Sequence, residues 1–176
     1  MVRLVFALSA LLAPLLVVGA PVPLVSKRAF QVKSYPQFQI SSTPAGTAQA
    51  EAAAIFIAPF NGVDLKTVPS ADINAMSNMR VAAENAETNF NSAIAAAGGT
   101  KTAAGAILQN GKIKNKVLKL TGLLQIDLIK ASSTKAQGDK NVDAAIADIQ
   151  TKLAANIKID VASKGKQSKS FLNGSA

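Results

Sequence analysis

Apolar residues recur at three- and four-residue spacing along most of the chain, which is the spacing of amphipathic helices. The first such segment is alanine-rich and covers residues 45–58. Thr43 can act as its N-cap, because Pro44 follows at the first helical position, where proline is favoured. Pro59 then interrupts the pattern, just before a turn. These signals predict a first helix over residues 45–58.

A second helix is predicted from Ser70 to the pair Gly98-Gly99. Serine is a residue type that caps helix N-termini, and glycine commonly follows the last helical residue. The apolar residues between these ends share one helical face: Ile73, Met76, Ala83, Phe90, Ile94 and Ala97. A single stripe of this kind predicts a helix that packs on one side only.

The third helical segment runs from a cap at Thr100 to about residue 135, and Asn110-Gly111 marks a candidate kink. Its second half has one apolar stripe, formed by Ile113, Val117, Leu120, Leu124 and Leu128. Other apolar residues point elsewhere around the helix: Leu118, Leu123, Ile126 and Ile129. A helix that is apolar on nearly all sides is either buried at the centre of a fold or covered by a partner. We expect the central position.

Gly138 breaks the pattern and Asp139 can cap a fourth helix over residues 140–160. The stripe of this helix consists of Val142, Ala145, Ile146, Ile149, Leu153 and Ile157. Four helices joined by short connections predict an all-α fold, a small antiparallel bundle that covers residues 44–162.

Two segments flank the predicted bundle. Residues 29–43 lack helical periodicity and are interpreted as an extended arm. Residues 163–176 are polar and basic, a composition typical of a tail without stable structure.

Residues 1–20 have the organisation of a secretory signal peptide. Arg3 gives a positive start, residues 4–18 form an apolar run, and the small residues Gly19 and Ala20 are alternative cleavage positions. The apolar run is shorter than the roughly 20 residues that a membrane-spanning helix needs. We therefore expect cleavage, after which no transmembrane segment remains in the mature chain. An uncleaved signal anchor is the alternative.

Residues 21–28 form a short propeptide-like segment that ends in the dibasic pair Lys27-Arg28. Such a pair soon after a signal peptide suits a dibasic-specific processing protease, whose cut would leave Ala29 as the mature N-terminus. An ordinary exposed pair of basic residues is the alternative. Near the C-terminus, Asn173 begins an N-glycosylation sequon, and no lipid-anchor or retention signal follows. We expect the protein to be secreted and extracellular.

The chain contains no cysteine and no histidine. It therefore lacks disulfides, the usual zinc ligands and an imidazole base for nucleophilic catalysis. Its nearest acid pairs, Glu84/Glu87 and Asp143/Asp148, lie on predicted helix surfaces, where charged residues are expected. No phosphate-binding loop pattern occurs either. We expect no catalytic residue, no metal site and no cofactor, and hence a protein that is not an enzyme.

The formal net charge of +9 favours acidic partners, and it also keeps a protein soluble. On a helix, Lys112, Lys116 and Lys119 fall within about 60° of one another, while Lys114 points away. These three lysines form a candidate anion-binding face, with a merely solvated surface as the alternative. The chain has one Tyr, seven Phe and no Trp, so it is poor in residues that stack on bases, which argues against nucleic acid as a partner.

Three sequence blocks carry a resemblance to a known group of proteins. The most specific block is LQNGKIKNKVLKLT at residues 108–121, preceded by GTAQAEAAAIF at 46–56 and AAENAET at 82–88. Together with the leader and the dibasic pair, these blocks resemble the small secreted proteins of filamentous fungi. The resemblance implies export from a fungus, and it carries over no site residue because the group has no established activity. The chain is also similar in kind to the fungal hydrophobic-surface-binding proteins, which are secreted, helical and cysteine-poor.

The sequence thus predicts a secreted protein that acts by binding rather than by catalysis. The expected partners are cell-wall polysaccharide, a lipid or other hydrophobic surface, or a host protein. The alternative is a structural protein that associates with itself through the apolar residues of the third helix. An enzyme ranks last.

Overall fold

The fold is described from a computed structural model, which defines residues 30–132 and 140–174. Within these residues the regular structure is entirely helical, and the expected small helical bundle is confirmed. The five α-helices are α1 (Tyr35–Phe38), α2 (Ala48–Phe56), α3 (Ser70–Ala96), α4 (Ala103–Ser132) and α5 (Lys140–Ala162). Three short 3-10 helices are Ala58–Phe60, Leu65–Thr67 and Phe171–Gly174.

Side-chain contacts between α3 and α4 show that these two helices run antiparallel. The Nζ atom of Lys112 lies 2.5 Å from Oδ1 of Asn91. Further along α4, Nζ of Lys119 lies 2.5 Å from Oε1 of Glu87. Residue numbers therefore rise along α4 while they fall along α3. Short connections between successive helices produce this arrangement.

Helix α4 is central, because it contacts α2, α3 and α5. Its buried apolar residues come from the predicted stripe (Ile113, Val117 and Leu120) and from other sides of the helix (Leu118, Ile126 and Ile129). The remaining leucines of its second half, Leu123, Leu124 and Leu128, are half-buried. The expected central position is confirmed. Helix α2 approaches α4 closely at Gly122, where a Cβ atom would lie 3.0 Å from the ring of Phe56. Glycine at this position thus allows the aromatic ring to rest on the helix backbone.

The interpretation of residues 29–43 as an extended arm is wrong for the residues that the structure describes. The segment contains α1, whose first turn is closed by the side chain of Gln37 accepting from the backbone N–H of Ser34 at 3.0 Å. Phe30, Phe38 and Ile40 are buried in the core. A four-residue helix is too short to show periodicity, and burial of apolar area rather than local propensity fixes the segment.

The basic tail also packs against the bundle, contrary to the expectation for residues 163–176. The ring of Phe171 lies 5.7 Å from that of Tyr35 and 5.0 Å from that of Phe90, measured between centroids. The hydroxyl of Ser168 donates to the backbone oxygen of Ser41 at 2.7 Å. The ring of Phe171 and a few hydrogen bonds thus hold this segment against the bundle, although its average composition is typical of disorder.

Helix α2 begins at Ala48, four residues after the predicted Pro44. Gly46 has a φ of +95°, which interrupts any helix that starts earlier. The buried carboxylate of Asp160 accepts a hydrogen bond from the backbone N–H of Ala48 at 2.9 Å. A charge-assisted bond from another helix therefore satisfies a free N–H group at this N-terminus. The predicted N-cap, Thr43, instead contacts a lysine of α4.

The other helix starts are displaced by smaller amounts. Ser70 is the first residue of α3 rather than its cap, a position that Pro69 occupies. At α4 the capping hydroxyl belongs to Thr102 rather than Thr100, since it accepts from the backbone N–H of Gly105 at 3.0 Å. The candidate kink at Asn110-Gly111 lies inside α4, which continues through it as one helix.

Helix α5 covers α4 from one side and buries less of its stripe than the sequence suggests. Ile149 is buried, whereas Leu153 and Ile157 are half-buried and Ala145 is exposed. The predicted cap, Asp139, lies outside the described residues. Helix α5 is therefore a peripheral helix of the bundle.

Candidate functional site

A surface groove of about 480 Å³ opens between the N-terminal segment, α2 and α3. It is lined by Phe30, Gln31, Lys33, Ala54, Ile55, Pro59 and Met79. Small-molecule sites in proteins have volumes of about 300–1,000 Å³, a mainly apolar lining and a few polar groups. The groove has a volume in this range and five apolar lining residues, but almost half of its lining surface is polar. It is the candidate functional site.

The walls of the groove follow from how α2 packs. This helix turns Ala48, Ala52 and Phe56 into the core. Ala54 and Ile55 therefore fall at the edge of the buried face, where they border the groove. The opposite wall begins at Phe30, whose ring stacks 6.2 Å from that of Phe56 and 5.8 Å from that of Phe60. This stacking holds the first described residue of the chain against α2.

Among the lining residues that the structure describes, Lys33 alone carries a formal charge. Its side chain is exposed and forms no ion pair with any residue that the structure describes. The carboxylate of Glu51, one helical turn before Ile55, is already engaged by Lys114 at 2.8 Å. The groove therefore combines apolar walls with one available positive charge.

Exposed apolar residues adjoin the groove along the chain. Val32, between two lining residues, is 65% exposed, and Ile57, two residues after Ile55, is 39% exposed. Isolated exposed apolar side chains are common on proteins. Here two of them flank residues that already border an apolar hollow, which extends the apolar character of this part of the surface.

A buried lysine lies on the face of α4 that α2 covers. The side chain of Lys114 is wholly buried, and its ammonium donates to the carbonyl of Pro44 at 3.0 Å and to the hydroxyl of Thr47 at 2.7 Å. Thr43 accepts from it through both its hydroxyl and its carbonyl. Together with Glu51, these groups surround all three donors of the ammonium. Lys114 thus fixes the turn before α2 onto α4.

Asn115, the next residue, is also wholly buried. Its amide donates to the carbonyl of Ala83 in α3 at 2.7 Å, and its oxygen accepts from the hydroxyl of Tyr35 at 2.9 Å. Burial raises the pKa of Tyr35 well above its ordinary value, against a smaller lowering effect from Ser41. Asn115 therefore joins α1 to α3 through the central helix.

The three lysines of the candidate anion-binding face are only half-exposed. Lys112 and Lys119 contact Asn91 and Glu87 of α3, as described above, and Lys116 is likewise half-buried. Two of the three charges therefore lie in the contact between α3 and α4. This arrangement is less available to a partner than the freely exposed face that the sequence suggests.

The predicted processing positions Gly19, Ala20, Lys27 and Arg28 lie outside the described residues. The backbone of Asn173 falls within the last 3-10 helix, but its side chain is not among the parts that the structure describes. Across residues 30–132 and 140–174, no cluster of acidic residues has the arrangement of a metal site. No helix in the same ranges is both long and apolar enough to cross a membrane.

Sequence reasoning missed both the groove and the buried polar pair Lys114-Asn115. One signal for the pair was available, because Gly111, Lys114 and Leu118 recur at three- and four-residue spacing, and Gly122 continues the same face. Two glycines on one helix face indicate close approach of another segment. The groove had no such signal, since its residues come from three separate parts of the chain.

The comparisons with known proteins give one result. Residues 30–172 match the profile of a family described as "Domain of unknown function (DUF8454)". No curated protein and no solved structure matches the chain significantly. The matched range begins at Phe30, the buried residue that forms one wall of the groove. Because the match covers most of its length, the chain belongs to the family of the domain of unknown function DUF8454.

Proposed function

We propose that the protein is an exported, non-catalytic binding module that takes an apolar ligand into the groove between the N-terminal segment, α2 and α3. The observation that carries this proposal is the groove itself, a hollow of about 480 Å³ with both apolar and polar lining that remains open in the folded chain. The leader of residues 1–20 and the resemblance to small secreted fungal proteins support the export part of the proposal.

Two alternatives from the sequence receive less support from the packing. Self-association through α4 would use Leu118, Leu123, Ile126 and Ile129, of which Leu123 is half-buried and the other three are buried within the chain. Binding of an anionic wall or lipid surface would need Lys112 and Lys119, and both already contact α3. The groove requires no such rearrangement.

Binding of a neutral apolar dye, N-phenyl-naphthylamine, to the purified protein tests the proposal by dye fluorescence. Ala54 lines the groove and is exposed, so Ala54→Phe fills the hollow without entering the core. We expect this variant to bind the dye about tenfold or more weakly, which corresponds to about 1.4 kcal/mol of lost binding free energy.

Ala50→Phe is the matched control, because Ala50 is exposed on the same helix one turn earlier and does not line the groove. It carries the same change in helix propensity and should bind the dye like the unmodified protein. Far-UV circular dichroism verifies that both variants fold. Equal dye binding by the two variants would contradict the proposed site.

A further inference from the structure

We infer that the ligand of the groove is a single-chain amphiphile that ends in a carboxylate, with its head at Lys33 and its hydrocarbon chain along Phe30, Ile55 and Met79. This inference rests on the proposed function and adds the chemical class of the ligand. Three features of the lining support it: its sign of charge, the number of its charges and its volume.

The sign of charge favours an anionic head. Lys33 is positively charged, it is exposed, and it has no acidic partner among the described residues. None of the described lining residues is acidic, and the carboxylate of Glu51 nearby is engaged by Lys114. A negative ligand group at the rim would therefore meet one attractive charge and no repulsive charge from the lining.

The number of charges favours a carboxylate over a phosphate. Phosphate groups carry up to two charges and are typically bound by several donors, often the planar fork of an arginine. Within residues 30–132 and 140–174 the groove offers one lysine, and Gln31 adds an amide that can donate a hydrogen bond. One ammonium and one amide match a single negative charge with two oxygen atoms.

The volume favours a single hydrocarbon chain. A hollow of about 480 Å³ suits a ligand of drug size. An acyl chain of about a dozen carbons is close to this size, whereas a two-chain phospholipid is larger. Phe30, Ile55, Pro59 and Met79 provide the apolar contacts. Each methylene buried there contributes up to about 0.8 kcal/mol, or about fourfold in affinity.

The test is displacement of N-phenyl-naphthylamine from the purified full chain by dodecanoate and by dodecanol, at low salt and below micelle formation. These ligands share a chain and differ in head charge. We expect dodecanoate to displace the dye at about two- to fivefold lower concentration, as an exposed ion pair contributes. Added salt should remove this advantage, because it screens the charge on Lys33.

Lys33→Gln should abolish the preference for dodecanoate and leave dodecanol displacement unchanged. Lys158→Gln is the matched control, since Lys158 is an exposed lysine on α5, which does not line the groove. It should retain the preference. Equal displacement by acid and alcohol in the unmodified protein would overturn the inference while leaving the apolar site intact. Failure of the dye to bind would instead overturn the proposed function.

Two other occupants are separated by the same assay. A peptide of residues 21–28 that displaces the dye at lower concentration than dodecanoate would assign the groove to the propeptide-like segment, against the amphiphile. Light scattering that shows a dimer dissociated by dodecanoate would assign it to a second copy of the chain. Neither peptide displacement of that strength nor such a dimer is expected.

Discussion

The ammonium of Lys114 lies 2.8 Å from a carboxylate oxygen of Glu51, and the lysine side chain is wholly buried while the glutamate side chain keeps 26% of its surface exposed. The pair joins the central helix to α2. Desolvating a lysine is costly, and the cost is offset only when its donors are paired. The carbonyl and hydroxyl oxygens of the preceding turn complete that pairing.

We predict that Lys114→Met destabilises the protein by about 3 kcal/mol, the magnitude typical of a broken buried pair. The substitution leaves Glu51, Thr43 and Thr47 without their shared donor. Urea unfolding followed by circular dichroism measures the effect. Glu51→Gln should cost less in the Lys114→Met background than in the unmodified protein, because the two residues act as a unit. Additive effects of the two substitutions would show that the pair is not coupled.

Tyr35 is the only tyrosine in a chain without tryptophan, so the absorbance of its phenolate reports this residue alone. Burial raises its pKa in the folded protein. The folded protein should therefore show little phenolate at a pH slightly above 10, whereas the urea-unfolded chain titrates near the ordinary value of about 10. Identical titration curves for folded and unfolded protein would contradict burial of the hydroxyl.

The same shift makes stability depend on alkaline pH. The folded state holds the phenolic proton more tightly than the unfolded state, so this contribution is fully present below about pH 10. It is lost as the pH rises from there toward the raised pKa of Tyr35. Tyr35→Phe should be less stable at neutral pH, because Asn115 loses a donor, and its stability should fall less steeply above pH 10.

Gly111→Ala should lower stability although alanine is the better helix former by about 1 kcal/mol. A Cβ atom at this position would lie 2.0 Å from the carbonyl oxygen of Lys169, a backbone atom that can yield only if the tail moves away. We expect a net loss of about 1–3 kcal/mol, typical of overpacking. Thermal unfolding gives the loss, and faster trypsin cleavage after Lys166 or Lys169 reports release of the tail.

Gly122→Ala is the comparison for this prediction. The three atoms nearest to its Cβ would be ring atoms of Phe56, the closest at 3.0 Å, and a ring can shift by a few tenths of an ångström. The cost should therefore be smaller and the tail should remain protected. Stabilisation by Gly111→Ala with an unchanged cleavage pattern would disprove the close contact between α4 and the tail.

A triple Lys→Gln variant at Lys112, Lys116 and Lys119 separates anion binding by these lysines from ligand binding in the groove. Lys119 pairs with Glu87 across the contact between α3 and α4, and a partly exposed pair of this kind contributes about 0.2–1 kcal/mol. We expect a small loss of stability and unchanged dye binding. Binding to anionic vesicles that disappears in this variant but survives in Lys33→Gln would instead support the lysine face.

Intact-mass analysis of the protein released into culture medium tests export and processing. We expect a chain that begins at Ala29, after the pair Lys27-Arg28. Burial of Phe30 and the start of the family match at residue 30 support a boundary here. A released chain that begins at Ala20 or Pro21 would refute the second cut, and full-length chain retained in the cells would refute both.

The sequence predicted the helices best where the controlling signal is local. Gly98 and Gly99 both have a φ of +85° and follow the last turn of α3, as their residue type indicates. The central position of α4 also followed from its apolar residues on several faces. The start of α2 was predicted wrongly, because Gly46 adopts a positive φ and because the N–H of Ala48 is satisfied by Asp160, a residue more than a hundred positions away.

The sequence by itself determined the all-helical class, the approximate helix boundaries and the order of the helices, because capping, glycine termination and apolar periodicity act within a few turns of one segment. Only the tertiary structure decided which faces are covered. It buried Lys114 rather than exposing it, drew Phe171 between Tyr35 and Phe90, and placed Phe30 beside α2 to form the groove. Those outcomes depend on contacts between segments far apart in the chain, for which local residue patterns carry no signal.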